Sequence, residues 1–329
     1  MIPVIDLHCD TLSKLCSAPE DFLLPPEQGH SHITLPGLRT SDGLLQCFAL
    51  FTDLAEWTHR SPLSCIEEQF DCFRSLLAAS DGALVQVFTY TDILENRASG
   101  KLSALLTLEE SCLSDTPADL LPRLYSLGVR MATLTWNHPN LLGYPASPSA
   151  PPLPSGFSPV SLPGLTPAGF DFLEEAERLG ILIDVSHLSD AGFYDVAAHS
   201  KKPFLASHSN ARAICDVPRN LTDDMLRTLA EHGGLVGLNL HEPFLVTGQA
   251  SAEDVLSALG RHAKHIISVA GIDTLALGTD FDGIPGNAAI PNVSFLPRLE
   301  EVLKKAGFTS DEIEKVFYRN ALRVFKECL

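Results

Sequence analysis

The sequence predicts an α/β fold, a (β/α)8 TIM-type barrel with extra C-terminal helices, and three observations predict it. Short apolar runs recur eight times, they alternate with helical patterns, and most are apolar at successive residues rather than at every second one. Strands buried on both faces read this way when helices cover a parallel sheet, and eight of them are best accommodated by closing the sheet on itself. A length of 329 residues suits one barrel domain spanning 1–329. Such a chain can bury about three quarters of its unfolded surface and needs no disulfide for stability.

In chain order the runs are PVIDLH at 3–8, LLQCFALF at 44–51, LSALLTLE at 102–109, VRMATLT at 129–135, ILIDVSH at 181–187, FLASHS at 204–209, GLVGLNL at 234–240 and TLALGTDF at 274–281. The helices between them are marked by their ends. At 166–180, Thr166 is the N-cap, Pro167 occupies the first helical position and Gly180 is the stop. The stretch 221–234 repeats the construction, with Thr222 capping and acidic residues in the first turn, where the helix dipole favours them. After the eighth run, 294–328 reads as two or three further helices packed beneath or beside the barrel. One stretch departs from the alternation. Residues 144–164, rich in Pro and Ser, form a loop insertion on the side where barrels carry their active-site loops; it is read either as a surface excursion or as a lid or substrate wall.

Composition excludes several functions. With 23 Lys+Arg against 41 Asp+Glu the formal charge is −18, which repels phosphate backbones and anionic membrane surfaces, so no nucleic acid and no membrane partner is expected. No segment has the ~18 consecutive apolar residues of a spanning helix. The opening MIPVIDLHCD lacks the basic stretch and long apolar run of a secretion signal. Eight scattered cysteines without a CxxC spacing read as reduced thiols, so the expectation is a cytoplasmic enzyme, for which a homodimer would be ordinary.

Barrel active sites form at the C-terminal ends of the strands, so the residue that closes each apolar run carries the most information. The first run ends in His8 and Asp10, two apart and therefore on one side of an extended chain; the third ends in Glu109, the fifth in His187, the sixth in His208 and the last in Asp280. Any one of them alone is more often a hydrogen-bonded core or turn residue than a ligand. Independent structural residues would not all fall at the same end of different strands. Six such groups exceed the three protein ligands of a single catalytic zinc, which points to two metals sharing a carboxylate and to hydrolysis as the reaction class.

These residues lie in motifs. In order, LHCDT, TLEES, GLTPAG, IDVSHLSD, ASHSNARAICDVPRNLTD and LGTDFDGI resemble the membrane (renal) dipeptidase family of zinc peptidases, over about residues 3 to 325. The resemblance implies two Zn2+ per chain, with His8 and Asp10 on one, His187 and His208 on the second and Glu109 bridging both. It implies further that Asp280 is the proton shuttle and that Arg219 holds the terminal carboxylate of a dipeptide. Two positions depart from the family pattern: Trp136 stands where many members have a substrate-contacting His, with His138 two residues later, and Glu110 and Ser111 replace small glycines after Glu109. The implied activity is cleavage of dipeptides with a free C-terminal carboxylate through a bridging hydroxide. An amidohydrolase of another small amide, lactam or ester would use the same metal centre; a metal-free binding scaffold is the reading from another class, and no ligand is missing to suggest it.

Overall fold

The computed structural model describes residues 1–56, 61–146 and 163–329. Nine strands form one parallel sheet: β1 (Val4–Asp6), β2 (Gly43–Phe51), β3 (Leu84–Gln86), β4 (Leu102–Glu109), β5 (Val129–Thr133), β6 (Leu182–Asp184), β7 (Leu205–Ser209), β8 (Leu235–Leu238) and β9 (Leu275–Leu277). Their order is β2-β1-β9-β8-β7-β6-β5-β4-β3, and β2 also pairs with β4 from Leu45↔Ser103 to Phe51↔Glu109, which closes the sheet into an eight-stranded barrel ringed by helices. Seven of the eight barrel strands fall within one of the eight apolar runs, and β2 exceeds its run by the single residue Gly43. The ninth, β3, was not anticipated: its three residues extend one edge of β4 at Leu102–Ala104, below the place where β5 takes over at Leu106.

The helices end where their caps require. Thr166 accepts from the Gly169 N–H (3.1 Å) ahead of the helix Pro167–Leu179, and Gly180 ends it at φ +84°. Thr222 accepts from the Met225 N–H (3.2 Å) ahead of Asp223–Glu231. Beyond the barrel come the helix Arg298–Ala306 and a run from Ser310 to Cys328 interrupted by a π turn over Lys315–Arg319.

That last run determines what fills the barrel. Ile5, Leu45, Leu105, Met131, Leu182, Leu205, Leu235 and Ala276, one from each barrel strand, pack with Ala321, Val324 and Phe325 of the helix Asn320–Cys328. The C-terminal helix is therefore a plug at the end of the barrel opposite the strands' C-termini. A second, larger cluster lies between the strands and the surrounding helices. At the other end the strands approach closely: a Cβ at either Gly237 or Gly278 would collide with the Ser207 carbonyl oxygen, so β7, β8 and β9 can meet there only because those two positions carry no side chain.

Most of the 144–164 insertion lies outside the described residues. Its described ends are tied down: the Ala146 N–H donates to the His187 carbonyl (2.6 Å) and the Ser189 N–H to the Tyr144 carbonyl (2.9 Å). Among the described residues no helix is long and apolar enough to cross a membrane.

The helix Ala252–Ala270 carries a buried imidazole that should set part of the acid stability. His262 accepts the Ala211 N–H on Nδ1 (3.1 Å) and donates from Nε2 to the Leu245 carbonyl (3.1 Å), an arrangement that needs the neutral ring. Burial pushes it down to about 4. The unfolded chain protonates this residue near 6.5 and the folded chain only near 4, so between those values the unfolded state holds more protons and stability rises with pH. Urea titrations from pH 7 to pH 4 should show a loss on the order of 3 kcal/mol from this residue. His262→Gln should flatten that part of the slope, and an unchanged slope would show that other groups cause it.

Candidate metal centre

The side chains expected at the strand ends converge in one buried space. His8 and Asp10 follow β1, and His8 Nε2 lies 3.3 Å from Asp10 Oδ2 and 3.6 Å from Glu109 Oε2 at the end of β4. The other oxygen of Glu109, Oε1, lies 3.1 Å from His187 Nε2 and 3.6 Å from His208 Nε2. Glu109 thus turns one oxygen to a His–Asp pair and the other to a His–His pair. The two groups are joined directly by the His8 and His208 rings, stacked at 3.9 Å. His8, Asp10 and Glu109 form one group whose ligand atoms lie within 4.8 Å of one another, Glu109, His187 and His208 form a second, and His8, His208 and Asp280 form a third. Asp280, after β9, is adjacent: its Oδ1 is 4.0 Å from His8 Nε2, and its Oδ2 accepts from Asn239 Nδ2 (2.8 Å).

The rings are aimed by their outer nitrogens. Ser207 gives its hydroxyl proton to Asp184 and so accepts from His208 Nδ1–H (2.7 Å), while His187 Nδ1–H donates to Asn137 Oδ1 (3.0 Å). Both histidines therefore present bare Nε2 lone pairs, and those atoms face each other at 3.0 Å. Burial first, with Arg219 and His8 adding to it, holds both imidazoles well below their ordinary range, so both are neutral. His8 is the opposite case: burial favours its neutral form, yet Glu109 and Asp10 push it up to about 10.

This donor set fits divalent cations. Two facing lone pairs repel unless a positive centre lies in their reach, Asp10 Oδ1 is buried without a hydrogen-bond partner, and burial and Asp10 raise Glu109 well above the usual carboxylate range. Imidazole and carboxylate together suit a borderline divalent transition metal. The backbone supports the placement at some cost: His187 and Asp280 have φ of +68° and +64°, conformations that non-glycine residues hold only where the surroundings impose them.

Over this centre lies a cavity of about 300 Å³, whose walls include Phe51, Trp136, Asn137, Arg219, His241 and Phe244. Arg219 is buried, stands over the Phe244 ring at 5.4 Å, leaves Nε without a partner and makes one long contact from Nη2 to the His208 carbonyl (3.5 Å). A guanidinium stays charged in such a place and wants an anion. Of the other two residues singled out, Trp136 forms wall, edge-on to Phe51 at 4.9 Å. His138 stands behind it, ring to ring at 5.8 Å and paired with Asp53 (2.9 Å) rather than among the lining residues. Sequence reasoning passed over Asn137, although it lies between the two residues chosen from LTWNHPN, and over His241 and Phe244, which follow a strand run closed by no ligand. Asn239 in that run was the available signal, since it holds Asp280.

A closed (β/α)8 barrel with these overlapping ligand clusters and a cavity lined by a buried guanidinium at its C-terminal face defines a metal-dependent hydrolase. The chain belongs to the membrane dipeptidase family, peptidase family M19, whose model matches residues 1–328. It is 36% identical over 266 residues to an uncharacterized protein in the pqqA 5′ region of Klebsiella pneumoniae, covering 80% of this chain and 96% of that one. It is 34% identical to an uncharacterized dipeptidase of Schizosaccharomyces pombe, covering 98% of this chain and 80% of that one. Among solved structures it superposes on a metallopeptidase from Rhodobacter sphaeroides, liganded with a phosphinate mimic of L-Ala-D-Ala, with a TM-score of 0.88 and 27% identity over 100% of this chain and 99% of the other.

If Asn137 fixes the His187 ring, Asn137→Ala should weaken metal binding by about 10- to 100-fold while leaving the fold intact. Competition with a chromophoric chelator, read beside circular dichroism, checks this. Unaltered retention would place the control of His187 elsewhere.

Proposed function

We propose that the protein is a dinuclear zinc dipeptidase acting on dipeptides with a free C-terminal carboxylate. The observation that carries this reading is Glu109, whose two oxygens face two separate ligand pairs, lining the same cavity as the underpartnered Arg219 guanidinium. His8 and Asp10 would hold one zinc, His187 and His208 the second, and Glu109 would be shared. When bound, the metal pair acidifies water and polarises the scissile carbonyl.

The remaining steps belong to the protein. Arg219 pairs its planar fork with the substrate's terminal carboxylate, which fixes the peptide in the cavity and replaces the partner its buried charge lacks. Asp280, steadied through Oδ2 by Asn239, keeps Oδ1 for the reacting proton. It takes that proton from the attacking water and delivers it to the leaving amine as the C–N bond breaks. Phe51, Trp136 and Phe244 supply the apolar walls around the peptide. The Rhodobacter relative's phosphinate ligand, a mimic of a dipeptide ending in a D-residue, makes L-D dipeptides a class to screen beside L-L ones.

Stripping the protein with a strong chelator should abolish turnover, and zinc should restore it with close to two equivalents bound per chain; full activity without metal would overturn the proposal. Asp280→Asn should keep its zinc and lose about 10²- to 10⁴-fold in kcat, whereas loss of zinc instead would make Asp280 a ligand. Arg219→Lys should raise KM for free dipeptides, and C-terminally amidated dipeptides should be poor substrates of the unaltered enzyme. The two defects should not add, because each removes the same contact. Equal kcat/KM for amidated and free dipeptides would favour an amidohydrolase of other small amides.

A further inference from the structure

The residue after the shared carboxylate is also a glutamate, and its side chain turns away from the metal centre. Glu110 is fully buried and held at φ +69°, a strained conformation for a residue with a side chain. Its carboxylate accepts three N–H groups: the backbone of Trp136 on Oε2 (3.1 Å), and the backbone of Cys112 (2.9 Å) and Asn140 Nδ2 (2.6 Å) on Oε1. Two of these donors belong to the loop 134–143 after β5, which contains no strand or helix. Asn140 closes that loop on itself, donating to the Leu134 carbonyl (3.0 Å) and accepting the Leu142 N–H on Oδ1 (2.7 Å). From the same loop the Trp136 ring stands between Phe51 and His187, 6.3 Å from the latter ring.

A buried carboxylate on a strained backbone is retained against two penalties, and every hydrogen bond that offsets them leads to the Trp136 loop or to the turn at Cys112. We propose that Glu110 is a positioning residue for substrate binding: it anchors the loop 134–143 so that the Trp136 indole forms one wall of the cavity above the metal centre. Its effect on substrate rests on the peptidase reading given above; its effect on where Trp136 stands does not.

The chain contains two tryptophans, Trp57 and Trp136, so a Trp57→Phe background leaves Trp136 as the sole indole reporter. Glu110→Gln in that background keeps the side chain's size but offers one acceptor oxygen where three N–H groups converge. Trp136 emission should shift to longer wavelength, and acrylamide should quench it more strongly. KM for a cleaved dipeptide should rise about tenfold with kcat within about twofold and bound zinc unchanged, the signature of lost binding rather than lost chemistry. Should Glu110→Gln fail to fold, Asn140→Ala removes one of the same contacts and should move both readouts the same way by less. Unchanged emission and quenching, or a changed emission with KM unmoved, overturns the proposal; a lower melting temperature alone would mark Glu110 as merely structural. If the unaltered protein cleaves no dipeptide, the peptidase reading fails, and the fluorescence still decides whether Glu110 places Trp136.

Discussion

Three carboxylates and three imidazoles share a space from which water is largely excluded, and the rest of the molecule is organised around that crowding. Left to themselves, Glu109 and Asp280 are pushed by burial toward their protonated forms, and the facing Nε2 atoms of His187 and His208 would repel. What keeps the groups in place is the scaffold behind them. Asp184 accepts a hydrogen bond from the Ser207 hydroxyl, Ser207 in turn orients His208, and Asn137 orients His187. Asp6, fully buried, accepts from Gln46 (2.9 Å) and from the Thr279 hydroxyl (2.7 Å), joining β1 to β2 and to the segment that carries Asp280. Rigid strand ends with satisfied outer partners can hold a charge arrangement that a flexible loop would relax.

Local geometry bends to the same demand. Glu110, His187, Asp280 and Asp282 all take positive φ, and all follow strands at the barrel's C-terminal face. Each turns the chain sharply at the point where a side chain must stop serving the sheet and face the cavity or its support. Asp282 shows the supporting kind: it accepts from the Thr11 and Ser31 hydroxyls and from the His32 N–H, each at 2.7 Å, and so ties the segments around residues 11 and 31 to the segment after β9. The glycines at 237 and 278 do the complementary work by letting β7, β8 and β9 close up beneath these turns.

The barrel strands and the convergence of His8, Asp10, Glu109, His187, His208 and Asp280 were legible in the sequence for one reason. A strand buried on both faces writes a continuous apolar run, and the polar residue that ends it stands out against that background. β3 was invisible because three residues in DGALVQVFTY are too few to show a period, and its pairing depends on where β4 lies. Asn137, His241 and Phe244 were illegible for a different reason. Asn137 sits on a loop and His241 and Phe244 on the short helix Glu242–Leu245 and its N-cap, and their approach to the cavity is fixed by contacts between distant segments, such as the Glu110 carboxylate under Trp136 or the Arg219 guanidinium over Phe244. The position of His138 behind Trp136 has the same origin, since Asp53 after β2 draws it there.

The plug formed by Ala321, Val324 and Phe325 has a consequence for biosynthesis. Ile5 packs not only with the other strands' interior residues but also with Ala321, Val324 and Phe325, on a helix more than three hundred residues further along the chain that is made only after every barrel strand. Until then the barrel floor is open, and the interior residues that the eight strands contribute lack the helix that covers them. The nascent chain can build its outer helices and many of its strand pairs as it emerges, but the interior is sealed late. Chaperone dependence and sensitivity to ribosome stalling should therefore be governed by the synthesis of the helix Asn320–Cys328, which covers a floor to which all eight barrel strands contribute.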